Sequence, residues 1–490
     1  MVVATYQLDV DLDNDGLWEA GENLTADIYN EAPHAPLVWE RGKDQLRALA
    51  PPAAGKASWE LNNRASAYGP TSNVKRGRPC RIRATHAAVT YDMFLGVLER
   101  PRQNPQEELR SVGVTALGTF SRLVGKETLS TALSQTITTD VAIGLILDAI
   151  GWPAGAGDGG RVLDVGKTTL DWWWLDGEDA WEAIKALLYS EGPGALIYED
   201  GRGRFVFKNR HARITEARFT ASQGSYGGAA GTGFYDAQED DGLGHVINVC
   251  EIETKKRSAA ALGVIWTLGS TVTLTPSETR KYIARHTSGD PMTAAVAPVD
   301  VTDYTVTVGS LSSVTLDRTS GATVTIILTA GTAGATVTGL QLRAQRVAVD
   351  SVTKVANTLD ASASITEHSR QTFTLPVRAE IGVNVAQDFC NGIVSWYKDG
   401  RPLIRFTVPA NADTAWMTQA LAREVGDRIQ ITEANTGLSS TPFWIEWVRH
   451  AVSAGTGLHL TTFGCEKVVL DTELYAVWGT SKWGTAIWGL

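Results

Sequence analysis

Residues Trp39–Arg83 read WERGKDQLRALAPPAAGKASWELNNRASAYGPTSNVKRGRPCRIR, and their reading organises the rest of the chain. A charged corner capped by an aromatic residue is followed by a loop rich in Pro, Ala and Gly. In Ala57–Leu61, Ala57, Trp59 and Leu61 alternate with Ser58 and Glu60, the period-two pattern of a strand with one wet face. Asn62-Asn63 ends that strand. Tyr68-Gly69-Pro70 makes a rigid turn, because Pro fixes its own φ and pushes Gly69 toward extended backbone. Arg78-Pro79 then leads into a second alternating strand, Cys80-Arg81-Ile82-Arg83.

Working outward, Tyr6–Asp11 reads as an opening strand. Val89–Arg100 alternates again through Tyr91, Phe94, Leu95 and Val97, and would close a first small barrel. Between the opening strand and Trp39 lies DLDNDGLWEAGE, which fits the calcium-loop template from Asp11 to Glu22. Asp11, Asp13 and Asp15 hold its first, third and fifth positions. Gly16 holds the sixth, where the sharp turn lets those carboxylates converge, and Glu22 holds the twelfth. Leu17 would offer its backbone carbonyl, and Glu19 would reach the ion directly or through water. The flanks are strand-like and unlike the helices of an EF-hand, so two readings stand: a calcium site, or an acidic turn without metal.

Pro101 and Pro105 bracket a linker, and Ser111–Leu123 opens a second unit. Thr138–Ile150 reads as a helix with Asp140 as N-cap and Val141, Leu145 and Ala149 as its apolar row. The GKTT at Gly166–Thr169 lacks the leading Gly of a phosphate loop, since position 161 is Arg, and nucleotide binding is set aside. Trp172-Trp173-Trp174 reads as a buried strand. Asp176 would cap a helix running through Tyr189, with Gly192 beyond its end, and Ala195–Glu199 and Arg204–Lys208 form a hairpin around Asp200-Gly201.

His211–Leu243 reads as loop and Val246–Trp266 as strand. From about Ser270 to Asp350 the composition turns to Thr, Val, Ser and Gly, with short strands at Tyr304–Val308, Ser313–Leu316, Thr323–Leu328 and Leu340–Val347. That is the look of an inserted β-sandwich, either a spacer or a glycan-binding module. A helix follows over Asn384–Tyr397, with Val385, Phe389, Ile393 and Trp396 on one stripe. The strands Arg405–Val408, Arg428–Thr432, Phe443–Val448 and Leu458–Phe463 form a final barrel.

Composition bounds the function. With 43% apolar and 20% charged residues over 490, the chain folds, into roughly three to four domains. A net charge of -10 argues against coating nucleic acid. Cys80, Cys250, Cys390 and Cys465 are widely spaced and read as reduced core residues, which fits assembly in a cytosol. No secretory signal opens the chain, and no apolar run is long enough for a membrane span. No serine-nucleophile, zinc-protease or Cys/His motif is present, so no enzyme is expected. His450 and His459 flank one hairpin and can meet, but no carboxylate motif beside them suggests a metal.

The ordered series WxRG, a Gly-bearing loop, a strand ending L-x-N, then Y-x-P-x-S-N and R-P-x-R-I-R resembles the first domain of tailed-phage tail-tip or baseplate hub proteins, the tail-associated minor tail proteins. The likeness runs over Gln7 to about Arg210, including the helix and the Tyr198-Glu199-Asp200-Gly201 hairpin. It returns, more weakly, over about Thr372 to Lys467, where Gly426–Ile429, Trp444–Trp447 and the Thr-Thr-Phe exit look like the family's last tube-like domain. Composition and patterning together with this likeness give a mostly β, multidomain α+β chain. Its parts would be a first tube-like barrel (1–105), an α/β unit with helices and hairpin (106–210), a β-rich region (211–380) with the sandwich at about 270–350, and a second tube-like barrel with its helix (381–470). The resemblance further implies a structural virion protein at the tail tip, a homotrimer, that closes the tube. It would join distal tail and tape-measure proteins to tip or fibre proteins. The alternative is a host-surface or glycan-binding tail protein.

The last stretch, DTELYAVWGTSKWGTAIWGL (471–490), repeats Trp-Gly at Trp478, Trp483 and Trp488. Five is neither a helical nor a strand period, so these rings share a face only where Gly bends the chain. The stretch reads as a docking arm, folded either onto its own chain's last barrel or onto a neighbour.

Overall fold

The computed structural model describes residues 2–29, 36–69, 71–105, 110–125, 128–229, 231–375, 381–453 and 456–469. The docking arm with Trp478, Trp483 and Trp488 lies outside the described residues. The architecture is mostly β, in several sheets, with a few helices.

Among the described residues thirteen strands form one sheet. Along its main path Thr5–Val10 pairs with Pro79–His86, followed by Val89–Leu98, Ser111–Gly118, Pro52–Asn62 and Leu37–Lys43. Leu37–Lys43 then pairs with Leu438–Val452, and His459–Lys467, Leu403–Pro409 and Tyr235–Asp240 complete the path. The two expected barrels are therefore corrected. The strands assigned to them share one sheet, and no ladder among the described residues closes either set on itself. Alternation states which face of a strand is wet, but not which strand lies beside it. The free edge of Leu37–Lys43 is taken by the far end of the chain, in the register Leu37↔Val452 to Gly42↔Trp447. Ser111–Gly118, expected to open the second unit, belongs to this sheet as well.

The ends of the chain also share a core. Met417, Ala420 and Leu421, from the helix Thr414–Ala422, are buried in one cluster with Leu8, Val10, Trp39, Trp59, Ile82 and Phe94. Burying each large apolar side chain there stabilises the join by about 1.5–3 kcal/mol.

The second unit packs the helices Thr139–Ala149 and Ala180–Glu191 with the hairpin Leu196–Glu199/Phe205–Lys208. The first helix buries Ala142, Ile143, Ile146 and Leu147, so the expected row of Val141, Leu145 and Ala149 faces solvent. Its N-cap is Thr138, with Asp140 in the first turn. The second helix is capped by Asp179, whose Oδ1 accepts from the amides of Trp181 and Glu182; Asp176 stands in a short strand instead. The amides of Lys167 and Thr168 donate to the Glu191 carboxylate, so the GKTT turn is occupied by the chain's own anion.

The insertion is a two-sheet sandwich. Thr323–Thr338 pairs with Val272–Leu274, Thr279–Arg285 and Thr305–Asp317, the last a single irregular strand where two were expected. The facing sheet centres on Gln341–Ala356, and side chains of both sheets fill one core. The segment expected as loop after His211 contains two short helices and the edge strand Tyr235–Asp240. All four cysteines are free and buried.

Candidate functional site

Two features stand out: the acidic loop at one end of the great sheet, and the buried polar seam where the first and last strands join. In the loop, carboxylate oxygens of Asp11, Asp13 and Asp15 lie within 4.8 Å of one another. The backbone makes this possible, since Asn14 and Gly16 take left-handed conformations at φ 69° and 82°. Asp11 is buried; its Oδ1 accepts from the amide of Asn14 (2.5 Å) and its Oδ2 from that of Gly16 (2.9 Å). Asp15 Oδ1 accepts from the Leu17 amide at 2.7 Å. Glu22 is also buried, but it stands outside the three-carboxylate cluster. Its two oxygens accept from the amides of Leu12 (2.5 Å) and Glu19 (3.1 Å), tying the loop's entry to its exit. Leu17 and Glu19 lie on the exposed return. The donor set is all oxygen, the chemistry of a hard cation such as calcium.

At the seam, charged side chains sit on the buried face of Leu37–Lys43. Arg41 pairs with Glu424 at 2.6 Å and donates to the Glu199 carbonyl. Lys43 and Arg213 both pair with Glu446 at 2.7 Å, and the guanidinium of Arg213 lies 4.4 Å from the Trp444 ring. Glu466 takes Arg401 (3.0 Å), the Tyr397 hydroxyl (2.9 Å) and the Ala48 amide (2.6 Å). The Glu199 carboxylate accepts from the amides of Thr119, Gly55 and Phe120. Burial pushes it up to about 7, against those amides and Arg41, which pull it down. Where strands of the two halves cross, Gly42 has φ 122°, and a Cβ there would fall 2.4 Å from the Glu446 carbonyl oxygen. A strand approach this close needs glycine.

His450 and His459 do meet. Their Nδ1 and Nε2 are 3.0 Å apart, with the Thr461 hydroxyl beside both. The Tyr6 hydroxyl reaches His459 Nδ1 at 2.7 Å, and Trp39 stacks on His450 at 4.8 Å. Both imidazoles are buried and held neutral, far below their usual range, so this is a polar clasp between the first strand and the last hairpin.

Sequence reasoning missed the ion pairs. Their one signal is a charge placed where the alternation demands an apolar residue: Arg41 and Lys43 in LVWERGK, and Glu446 in FWIEWV. The opposite face of the sheet is polar. One cross-strand row runs Lys56, Glu40, Arg449, Thr462, Thr407, Tyr235, from the first strands to the far edge.

No protein-family model matches the chain, and no curated protein matches its sequence. Its fold is similar to solved structures. The tail protein from Neisseria meningitidis MC58 matches with a TM-score of 0.50 at 9% identity, over 95% of this chain and 96% of that one. The 43 kDa tail protein of prophage MuSo2 from Shewanella oneidensis gives 0.49 at 10% identity, over 94% and 96%. The E. coli c3393 protein, a component of the type VI secretion system, gives 0.41 at 10% identity, over 94% and 77%. At such identities the likeness is one of fold, shared with the Neisseria tail protein over 95% of this chain, in line with the resemblance carried by Trp39–Arg83.

Proposed function

We propose that this chain is a structural protein of a phage virion: the hub at the distal end of the tail, closing the tube and connecting it to tip or fibre proteins. The observation that supports this best is the single sheet built from the first and last strands and clamped by buried ion pairs. A chain whose two halves share one rigid sheet suits an obligate ring. In this reading each copy supplies two sheet halves, so three copies supply six and match a six-fold tube. The polar row from Lys56 to Tyr235 faces the inside or the rim of that ring. The Trp-Gly arm reaches a neighbouring copy or the next tail protein, each indole seated as an anchor.

Native mass measurement on the purified chain, together with a virion reconstruction, tests the reading. A trimer is expected. Removing Tyr475–Leu490 is expected to leave the fold intact while weakening the trimer or its union with the tip. A stable monomer both in solution and in the particle overturns the proposal.

Within the same reading the acidic loop is a calcium-stiffened hairpin, held by Asp11, Asp13, Asp15 and Glu22 with the Leu17 carbonyl and Glu19. Calorimetric titration of chelator-treated protein is expected to show binding heat with Ca²⁺. The melting temperature is expected to rise with free calcium, as for any ligand that binds only the folded state. Asp13→Ala/Asp15→Ala should abolish both effects. Absence of heat, with no response of melting to chelator, leaves an acidic turn.

A further inference from the structure

The sandwich insertion hangs from the body by a two-stranded ribbon, Val249–Ala259 against the end of Gln341–Ala356. At the body end Cys250, Ile252 and Val355 are buried in one cluster with residues of the helix Val383–Tyr397. At the insertion end Leu342 and Ala344 belong to the sandwich core, and Arg257 and Arg346 both pair with Asp290. Beyond the buried Thr254 the ribbon is bare. Lys255 and Lys256 on one strand, and Val349 through Lys354 on the other, are exposed, so both faces meet water. The ladder also breaks here. Lys256 faces Ser351 and Arg257 faces Val349, leaving Asp350 unmatched in a bulge. A bulge in an uncovered two-stranded ribbon is a place where a chain bends at little cost.

A second attachment fixes the angle. The Gly321 amide donates to the Thr131 carbonyl of the second unit at 2.7 Å. Gly321 presses against Trp174 so closely that an added Cβ would lie 2.7 Å from the Trp174 Cβ. Arg285 pairs with Asp176 at 2.6 Å, and Arg257 lies over the Trp174 ring at 5.0 Å. These contacts are local: Gly321 and Thr131 are buried but touch over a small area, with Trp174 and Arg257 half-buried beside them. The Arg285–Asp176 pair is exposed, and exposed pairs contribute little. The buried cores of the insertion and of the second unit share no residue.

We infer that the insertion is a hinged arm. It turns as a rigid body about the Lys256/Arg257 bulge, and the contact of Gly321 with Thr131 and Trp174, helped by Arg285–Asp176, is the latch that holds it docked. Hinge motions of this kind place the change in a few residues while the moving body keeps its core. A partner that grips the insertion, or that competes for Trp174 or Asp176, would release it. The inference concerns the free chain and stands whether or not the hub reading does.

The test is a distance measurement on the full chain. Spin labels at Glu182→Cys on the second unit and Lys281→Cys on the insertion are both at exposed sites, and the four native cysteines are buried. The unaltered latch should give one narrow distance distribution by pulsed electron resonance. Gly321→Val with Asp176→Lys should broaden it and shift it to longer distance, with the melting midpoint unchanged. In a chain with Gly321 intact, Asp176→Lys alone should loosen the arm and the exchanged pair Asp176→Arg/Arg285→Asp should tighten it again. An unchanged distribution in the Gly321→Val/Asp176→Lys chain overturns the inference, as does a broad one with the latch intact. A fall in the melting midpoint overturns it too, because the contact would then belong to a shared core.

Discussion

Glu446→Ala is expected to destabilise the chain by about 3–5 kcal/mol, the penalty of leaving buried charge without its partner. The carboxylate is fully buried and is shared by two cations, Lys43 and Arg213, whose side chains are each only 2% exposed. Burial alone would push Glu446 up, but Arg213 and Lys43 outweigh it and hold the carboxyl below its usual value. For Lys43 the balance runs the other way, with burial lowering its pKa against the pull of Glu446. Without Glu446, Lys43 keeps its burial and loses its strongest support, so it sheds its proton. Arg213 cannot do so, and its Nε and Nη1 already lack hydrogen-bond partners among the described residues. The triple replacement Lys43→Met/Arg213→Met/Glu446→Met is expected to recover most of the loss, since well-packed apolar groups often equal or exceed a buried ion pair. Denaturant unfolding of the two variants checks both halves of the argument. A loss below about 1 kcal/mol for Glu446→Ala would mean that water reaches the site.

This ion cluster shows where the sequence stops being informative. The strands with clean alternation, such as Ala57–Leu61 and Cys80–Arg83, were visible because alternation of apolar and polar residues is local, whereas Leu37–Lys43 read as a charged corner and Tyr235–Asp240 as loop. Neighbours were not, because the partner of Leu37–Lys43 lies some four hundred residues away and shares no local signal with it. Arg41, Lys43 and Glu446 break the apolar alternation of their own strands, but what pairs with them is not visible until the partner strand is known. The helix Thr139–Ala149 is present as expected, but its buried face was misread for a different reason. Val141, Ala142, Ile143, Leu145, Ile146 and Leu147 are apolar nearly all round, so two rows fit helical spacing and only the packing against the second helix selects one. The acidic loop was the opposite case. Its template spans twelve residues, and the convergence of Asp11, Asp13 and Asp15 follows from the left-handed turns at Asn14 and Gly16 within it. The place of Glu22 was less legible, because backbone amides compete for its oxygens.

The histidine clasp gives the second large effect, and its sign can be worked out. Burial holds His459 at about 3 and His450 well below its ordinary value, the latter helped by the charges of His459 and Arg41. In the unfolded chain both titrate near 6.5. The stability of a folded state that keeps them neutral is therefore full above about pH 6.5 and lost as pH falls. By pH 4.5 the His459 imidazole has removed about 3 kcal/mol, and His450 adds a loss of the same sign. Glu199 works against this. Raised to about 7 by burial, it adds stability that is complete below its unfolded value and is lost as pH rises through 7. His211, lowered to about 4 but only half-buried, adds a smaller contribution of the histidine sign. Between pH 4.5 and 6.5 the unfolded chain thus binds one to two protons more than the folded one, and stability should rise by about 1.4–2.7 kcal/mol per pH unit. Glu199→Gln is expected to steepen that rise, and His450→Gln/His459→Gln to flatten or reverse it, whatever either does to absolute stability. Urea unfolding across this range separates the three slopes. A wild-type slope near zero, unaltered by either substitution, would mean that Tyr6, Trp39 and Thr461 do not hold the two rings dry, and that the first strand is fastened to the last hairpin by its backbone ladder alone.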